Sequence, residues 1–373
     1  MPTITDLAIK SFRNMDSVSI SPGPEINLVF GPNGAGKTSL LEAISVLAHG
    51  RSFRTHKFRR LIKTEQPEFT LFGKVLENEE ASVMGVRRSR SGESLFRIDG
   101  RTVYASGELA AKLPLQIIDA HSFSLIEGSA TVRRHFFDWL VFHVEHEFHQ
   151  AWKNYTRCIK QRNSLLRHDK ITYTLVDPWD REIAHLGKKI NQLRQNTFYQ
   201  FEKELLNRVE ELDFGIDDKV FVSYIDGWRA DTNEDQPSED SFLERLRNSF
   251  NRDKKVGYTT IGAHKSDIKI TLGNIPVSEV LSRGQQKVLI AAMFIAEATV
   301  FHQMTNRRAV FLLDDMPAEL DTKRLEYLGG WLNQLKTQIF ITGIEAENLV
   351  SIWPQIEDKT VAKFHVEQGA VMA

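Results

Sequence analysis

The chain has 373 residues, 41% of them hydrophobic and 26% charged, which suits a globular protein of two or three domains and excludes global disorder. With 48 basic against 49 acidic residues, its net charge of −1 gives no whole-molecule attraction to nucleic acid. Such binding must come from local patches or from a surface built by two copies.

One cysteine, Cys158, excludes an intramolecular disulfide and a cysteine-built zinc site, and it fits a reducing cytoplasm. Met1 to Arg13 holds no apolar core of signal-peptide length. The run Val288 to Phe301 is interrupted by Glu297 and falls short of the ~20 residues that a membrane span requires, so it reads as a buried helix. The expectation is a cytoplasmic protein with no membrane partner.

The first stretch reads as strands: Leu7 and Ile9 alternate with polar neighbours, as do Val18 and Ile20, and Ile26 to Phe30 is nearly all apolar. That run ends at Gly31-Pro32-Asn33-Gly34-Ala35-Gly36-Lys37-Thr38, and Leu40, Leu41, Ile44 and Leu47 then repeat at helical spacing. Short alternating runs between Phe69 and Tyr104 predict further strands and hairpin turns. From Arg133 to Ile159 the apolar residues step by three or four, and they do so again from Ile183 to Leu212 after a break at Asp177-Pro178. Two such helices predict an antiparallel, coiled-coil-like arm, the second helix roughly 50 Å long at about 1.5 Å per residue. The acidic stretch Asp231 to Asp240 reads as a solvated loop near its far end.

The first domain's pattern resumes near Thr259, with strand-like Asp267 to Leu272, the apolar helix, a buried strand Ala309 to Leu313 ending in Asp314-Asp315, and another at Ile339 to Thr342. Strands alternating with helices at both ends predict an α/β head assembled from the two termini. The expected boundaries are 1–125 for the N-terminal part of the head, 126–255 for the helical arm and 256–373 for the C-terminal part.

Gly31-x4-Gly36-Lys37-Thr38 has the form of a P-loop. Its glycines let backbone N–H groups curl around phosphates at a helix N-terminus. In that reading residues 31 to 39, through Ser39, hold ATP, Lys37 reaches the β- and γ-phosphates, and Thr38 ligates Mg²⁺. A carboxylate at the end of the buried strand, Asp314, would hold the same ion, and Asp315 would orient the attacking water. Ser282-Arg283-Gly284-Gln285-Gln286 opens a helix, where a serine hydroxyl and free N–H groups make an anion site; in isolation a serine N-cap explains the same residues. Ahead of Asp314, and with Asp321 after it, the segment takes the place of an ABC-type signature, so Ser282, Gly284 and Gln285 join the candidate nucleotide site.

Arg51, Arg54, Lys57, Arg59 and Arg60 form a basic cluster interspersed with Phe53 and Phe58, which suits contact with DNA; a solvated charged face is the alternative, and Arg54 has a further place near the nucleotide. A second basic run is Arg87, Arg88 and Arg90.

The order P-loop, helical insertion, signature, Asp-Asp strand resembles the RecF and SMC group of ABC-type ATPases. Phe12-Arg13-Asn14 is similar to that group's nucleotide-contacting turn, which adds Arg13 to the site. Gly50 to Thr55, Arg133 to Trp139, Gly262 to Asp267 and Leu281 to Gln286 are similar to the RecF branch, of gamma-proteobacterial type. The resemblance implies an ATP-dependent homodimer closing head to head through Ser282. It also implies binding to single-stranded or gapped duplex DNA, and work with RecR- and RecO-type mediators in loading RecA, recombinational repair, replication restart and SOS induction. Weak, DNA-stimulated ATP hydrolysis is the expected turnover. Two departures stand out: Thr342 is followed by Gly343 where ABC transporters carry a histidine, and Ala120-His121 replaces the Pro-Glu of many relatives at the Q-loop. Competing readings are a DNA clamp that binds ATP without turnover, the ATPase subunit of another ABC-type assembly, and a small P-loop kinase or GTPase. The last should lack the Ser282 to Gln286 segment.

Overall fold

A computed structural model of the chain describes residues 1–168, 170–212, 219–229, 238–315, 320–350, 352–353 and 361–372. Strands β1 (Thr3–Phe12), β2 (Met15–Ile20) and β3 (Ile26–Phe30) lead into helix α1 (Lys37–His49). Then come β4 (Glu68–Glu77), β5 (Glu80–Ser89), β6 (Ser94–Ile98), β7 (Arg101–Val103), α2 (Ser106–Lys112) and β8 (Leu115–Ile118). The middle carries α3 (Ser124–Glu127), α4 (Ala130–Val144), α5 (Phe148–Leu166), α6 (Tyr173–Glu210), β9 (Val220–Ile225) and α7 (Glu239–Val256). After it come β10 (Asp267–Leu272), β11 (Ile275–Pro276), α8 (Val277–Val280) and α9 (Arg283–Thr305). The chain closes with β12 (Val310–Leu313), α10 (Thr322–Leu335), β13 (Ile339–Gly343), α11 (Ala346–Val350), β14 (Val361–Glu367) and β15 (Ala370–Met372). These elements form two compact units, Met1–Ser122 with Met293–Ala373, and Phe123–Ala292.

The first unit holds two six-stranded sheets, ordered β2-β1-β4-β5-β6-β7 and β15-β14-β3-β13-β12-β8. The first is antiparallel, and its strands alternate as half-buried strands must: Phe69, Leu71 and Val75 of β4 are buried, whereas Phe72, Lys74 and Leu76 between them face solvent. In the second sheet β14, β3, β13, β12 and β8 run parallel, and β12 is buried at every residue, as expected where both faces are covered. Both sheets contribute to one apolar core with α1 in it. The predicted amphipathic character of α1 is exceeded, because only Thr38 and His49 are less than fully buried.

In the second unit α5 and α6 pack along each other, with α7 against α6. Here the structure departs from the sequence-based expectation in three places. The first helix breaks at Glu145, whose extended backbone ends α4 before α5 begins. The apolar spacing runs across this break because both helices face α6: Phe137 packs on Phe198 and Phe201, and Phe148 and Trp152 flank Arg194. The expected break at Asp177-Pro178 lies inside α6, while the chain turns between Leu166 and Tyr173. Pro178 lies in the second turn of α6, where it forgoes one intrahelical hydrogen bond, and Asp177 braces the start of the helix by accepting from Tyr173 and Arg181. With 38 residues, α6 is roughly 57 Å long.

The third departure concerns the resumption of the head at Thr259. Strand β10 pairs with β9 and β11 in a three-stranded sheet of the second unit, so residues up to Ala292 belong there and the other sheets gain nothing before β12. Most of the acidic stretch Asp231 to Asp240 lies outside the described residues; Glu239 and Asp240 open α7 behind the Ser238 cap. Among the described residues α9 is the one helix long and apolar enough to cross a bilayer, and it is mostly buried in the fold.

Two RecF-like segments of the sequence meet inside this unit. Arg133 pairs in bidentate fashion with Asp267 at 2.8 and 2.9 Å, and Arg134 donates to the Ser266 carbonyl at 2.6 Å. Arg194 ties Asp138 to the Ala263 carbonyl and to Ser266. His264 stands between Tyr155 (2.9 Å from Nδ1) and the Thr259 carbonyl (3.1 Å from Nε2). A carbonyl only accepts, so Nε2 carries the proton and Nδ1 accepts from the tyrosine, which describes a neutral ring. Burial holds its pKa down to about 4.

Because the folded value lies below the unfolded one, the contribution of His264 is complete above about pH 6.5 and is lost as pH falls toward 4. In urea titrations, His264 should account for a fall in stability on the order of 3 kcal/mol across that window. Burial likewise holds the pKa of His49 down to about 4, so His264→Gln should reduce the slope without abolishing it; an unchanged slope in that variant would assign the acid sensitivity elsewhere.

Candidate functional site

Strands β3, β13 and β12 lie side by side and parallel, so their C-terminal ends bring residues 31–38, Thr342 and Asp314-Asp315 to one edge. Ligands gather at such an edge because the loops leaving parallel strands and the helix N-termini converge there. Gly31 has φ 146°, and a Cβ on it would run into the Val366 carbonyl. Gly36 has φ 123°, and a Cβ there would stand 2.9 Å from Asn14 Nδ2. The loop is pinned where the Ala35 carbonyl accepts from Asn14 Nδ2 at 2.9 Å and from the Gly369 N–H at 2.8 Å. Ser39 is buried in the first turn of α1.

Lys37 is buried and donates to the carbonyls of Gly31 and Pro32 at 2.8 and 3.1 Å, so its ammonium lies across its own loop. Among the described residues no carboxylate is within ion-pair distance of it. A buried cation solvated only by neutral dipoles favours an anionic partner.

Thr38 donates to Asp314 Oδ1 at 3.0 Å. Thr342 donates to the same oxygen at 3.0 Å and accepts the Asp315 N–H at 2.8 Å, fixing a residue whose backbone is left-handed at φ 51°. Burial pushes the Asp314 carboxyl above the usual range; the two hydroxyls oppose this, and the charges of Asp315 and Asp119 add to it. A hard cation between Thr38 and Asp314 would reverse that upward push, and hydroxyl plus carboxylate is the oxygen donor set it takes. No cluster of three or more His, Cys, Asp or Glu is present among the described residues.

The cleft above this edge has a volume of about 640 Å³. The P-loop and Asp315 line it together with Arg13, Arg54, Arg60, Lys63 and Thr64. Arg13, Lys37, Thr38 and Asp315 line this cleft, and Asp314 joins them through Thr38. Thr342, Lys63 and Thr64 were not foreseen. In the sequence Thr342 reads only as the end of a strand, with Gly343 after it in the place of a histidine, and Lys63-Thr64 carries no motif.

Ser282, Gly284 and Gln285 lie in the second unit at the start of α9. There Gln285 Oε1 accepts the Ser282 N–H at 2.8 Å, and Ser282 Oγ accepts the Gln285 N–H at 3.4 Å. This is a reciprocal cap with a loose serine half, and Ser282 is exposed. Asp321 caps α10 through the Arg324 N–H at 2.9 Å, while Ala318 and Glu319 lie outside the described residues. Of the second basic run, Arg88 packs its guanidinium on the rings of Phe58 and Phe96.

The family model for the RecF/RecN/SMC N terminal domain matches residues 3–371. A DNA replication and repair protein RecF of Saccharophagus degradans is 49% identical over 371 residues, spanning 100% of this chain and 99% of the relative. That of Teredinibacter turnerae is 48% identical, spanning 100% and 96%. A solved structure described as the recombination mediator protein RecF-ATP in the RecFOR pathway aligns with a TM-score of 0.86 at 24% identity, covering 100% of this chain and 97% of the other.

Thr342→Val removes the hydroxyl shared by the two aspartates. In carbon-detected NMR of the ligand-free protein, Asp314 should titrate above an ordinary aspartate and higher still in the variant. An unshifted Asp314 in the variant would show that Thr342 has no electrostatic hold on it.

Proposed function

The chain belongs to the RecF branch of the RecF/RecN/SMC N-terminal domain family, and on that premise we propose that it is an ATP-dependent DNA-binding protein of recombinational repair and replication restart. The observation carrying this reading is the convergence of the P-loop, the Thr38–Asp314 pair and Asp315 on one strand edge beside a basic cleft. Residues 31–39 hold the triphosphate through backbone N–H groups and Lys37. Arg13 adds a further donor from the lining of the cleft. Thr38 and Asp314 hold Mg²⁺, which when bound supplies charge neutralisation at the phosphates. Asp315, with its backbone fixed by Thr342, orients and polarises the water for a slow hydrolysis stimulated by DNA.

ATP also assembles the protein. Ser282, exposed at the N-terminus of α9 with Gly284 and Gln285, closes on the nucleotide of a second copy; the loose 3.4 Å cap leaves its hydroxyl available for that contact. The dimer binds single-stranded or gapped duplex DNA in the cytoplasm and works with RecR- and RecO-type mediators to load RecA and support SOS induction. Since the free chain is nearly neutral, DNA binding should be weak without ATP, stronger with it and strongly salt-dependent.

Lys37→Ala should weaken ATP binding about 100-fold, as loss of a charge-assisted contact implies; wild-type affinity in that variant would refute the P-loop assignment. Asp315→Asn keeps the shape and removes the base, so it should bind ATP at least as well and persist as a dimer. Ser282→Arg should bind ATP as a monomer. Size-exclusion chromatography with ATP reads both: a monomeric Asp315→Asn protein or a dimeric Ser282→Arg protein would sink the shared-site reading.

A further inference from the structure

Three arginines of the cleft wall trace back to one carboxylate. Glu42 stands on α1 one helical turn after Thr38 and is fully buried. A carboxylate so placed is costly unless paired, and its partners come from two other segments of the chain. Arg13, in the turn between β1 and β2, donates from Nε to Oε2 at 2.7 Å and from Nη2 to Oε1 at 2.6 Å. Ser52, in the loop after α1, donates its hydroxyl to Oε1 and accepts the backbone N–H groups of Arg54 and Thr55 at 2.9 and 3.0 Å. The Arg54 guanidinium lies 3.9 Å from Oε2. Arg13 in turn donates from Nη1 to the Arg60 carbonyl at 3.0 Å.

We propose that Glu42 is a positioning residue that sets the cationic wall of the cleft for its phosphate ligand, an inference that rests on reading the cleft as the ATP site. A guanidinium has five N–H donors. Two of those on Arg13 are fixed on Glu42 and one on the Arg60 carbonyl, which leaves one N–H on each terminal nitrogen for a ligand. Arg13 is also held at φ 54°, a backbone conformation that a non-glycine residue keeps only when its surroundings impose it, and the bidentate pair with Glu42 is such an imposition. Without the carboxylate, Arg13 loses its fixed edge and Ser52 loses the acceptor that sets the turn carrying Arg54. Glu42 touches no ligand itself. It acts by spending one edge of Arg13 so that the other is presented in a single orientation.

The test is a double-mutant cycle on the full chain, read by binding of a fluorescent ATP analogue with Mg²⁺. Glu42→Gln keeps the volume and removes the charge; Arg13→Lys keeps the charge and removes the bidentate edge. Each should weaken binding about tenfold, and the double variant should be no weaker than the weaker single, because both remove the same arrangement. Losses that multiply, or an unchanged affinity in Glu42→Gln, overturn the proposal. If Glu42→Gln gives no cooperative thermal transition, Ser52→Ala and Arg13→Lys form the cycle instead, since they approach the carboxylate from separate segments. Sub-multiplicative losses there support the role and multiplicative ones overturn it. Lys37→Ala run in parallel separates the two levels: if it binds like wild type, the ATP reading of the cleft fails, whereas if it loses binding and Glu42→Gln does not, only the role of Glu42 fails.

Discussion

Helix α1 is enclosed on nearly every side, and this enclosure decides where charge is placed around it. Every residue from Ser39 to Ala48 is buried, so a helix usually judged by one apolar face has no polar face to offer. Its one open end is the N-terminus, where the first N–H groups lack intrahelical acceptors. Residues 31–38 deliver the cleft to that end. The sealed flank admits a carboxylate only with its partners supplied, which binds the turn before β2 and the loop after α1 to the same helix. Placement of a phosphate site and placement of a buried charge are thus two results of one packing arrangement.

The parts of the site that follow from contiguous residues could be read from the sequence. The P-loop is a local pattern between a buried strand and a helix, and Asp314-Asp315 ends a run of apolar residues, so both were visible without knowledge of the sheet. Thr342 was not, because its value comes from strand order: β13 lies between β3 and β12, an adjacency that no local pattern encodes. Glu42 had no signal for a similar reason, since its partners lie 29 residues upstream and 10 residues downstream in the chain. The helices of the second unit were legible as periodicity and misjudged at their ends. Apolar spacing reports the face that meets α6 and carries across a chain break whenever both sides of the break share that face. The strand at Asp267 to Leu272 was legible as a strand, but its sheet depended on a partner, β9, that the sequence reading had not marked.

The second unit solves a different problem with the same kind of device. Arg162, fully buried, joins Asp180 at 2.6 Å, Asp253 at 2.7 Å and Thr259 at 3.0 Å, so one guanidinium ties α5, α6, the end of α7 and the segment after it. Arg194 does the same for α4, α6 and the loop before β10. Packed hydrophobic residues could supply comparable stability, whereas a fork of N–H donors accepts few alternative registers. Long helices slide easily along an apolar seam, and these two arginines give α5 and α6 a fixed register against their neighbours.

Helix α9 begins at the residue after Ser282 and runs unbroken to Thr305, and the boundary between the two units falls within it at Met293. An uninterrupted helix is a screw with a fixed pitch. One residue inserted near Met293 would turn the signature end by about 100° relative to the downstream residues of the same helix and advance it by about 1.5 Å. Length changes in α9 are therefore confined to steps near whole turns, three or four residues at a time, whereas the loops around it can drift by single residues. The spacing between Ser282 and Thr305 behaves as a quantised length.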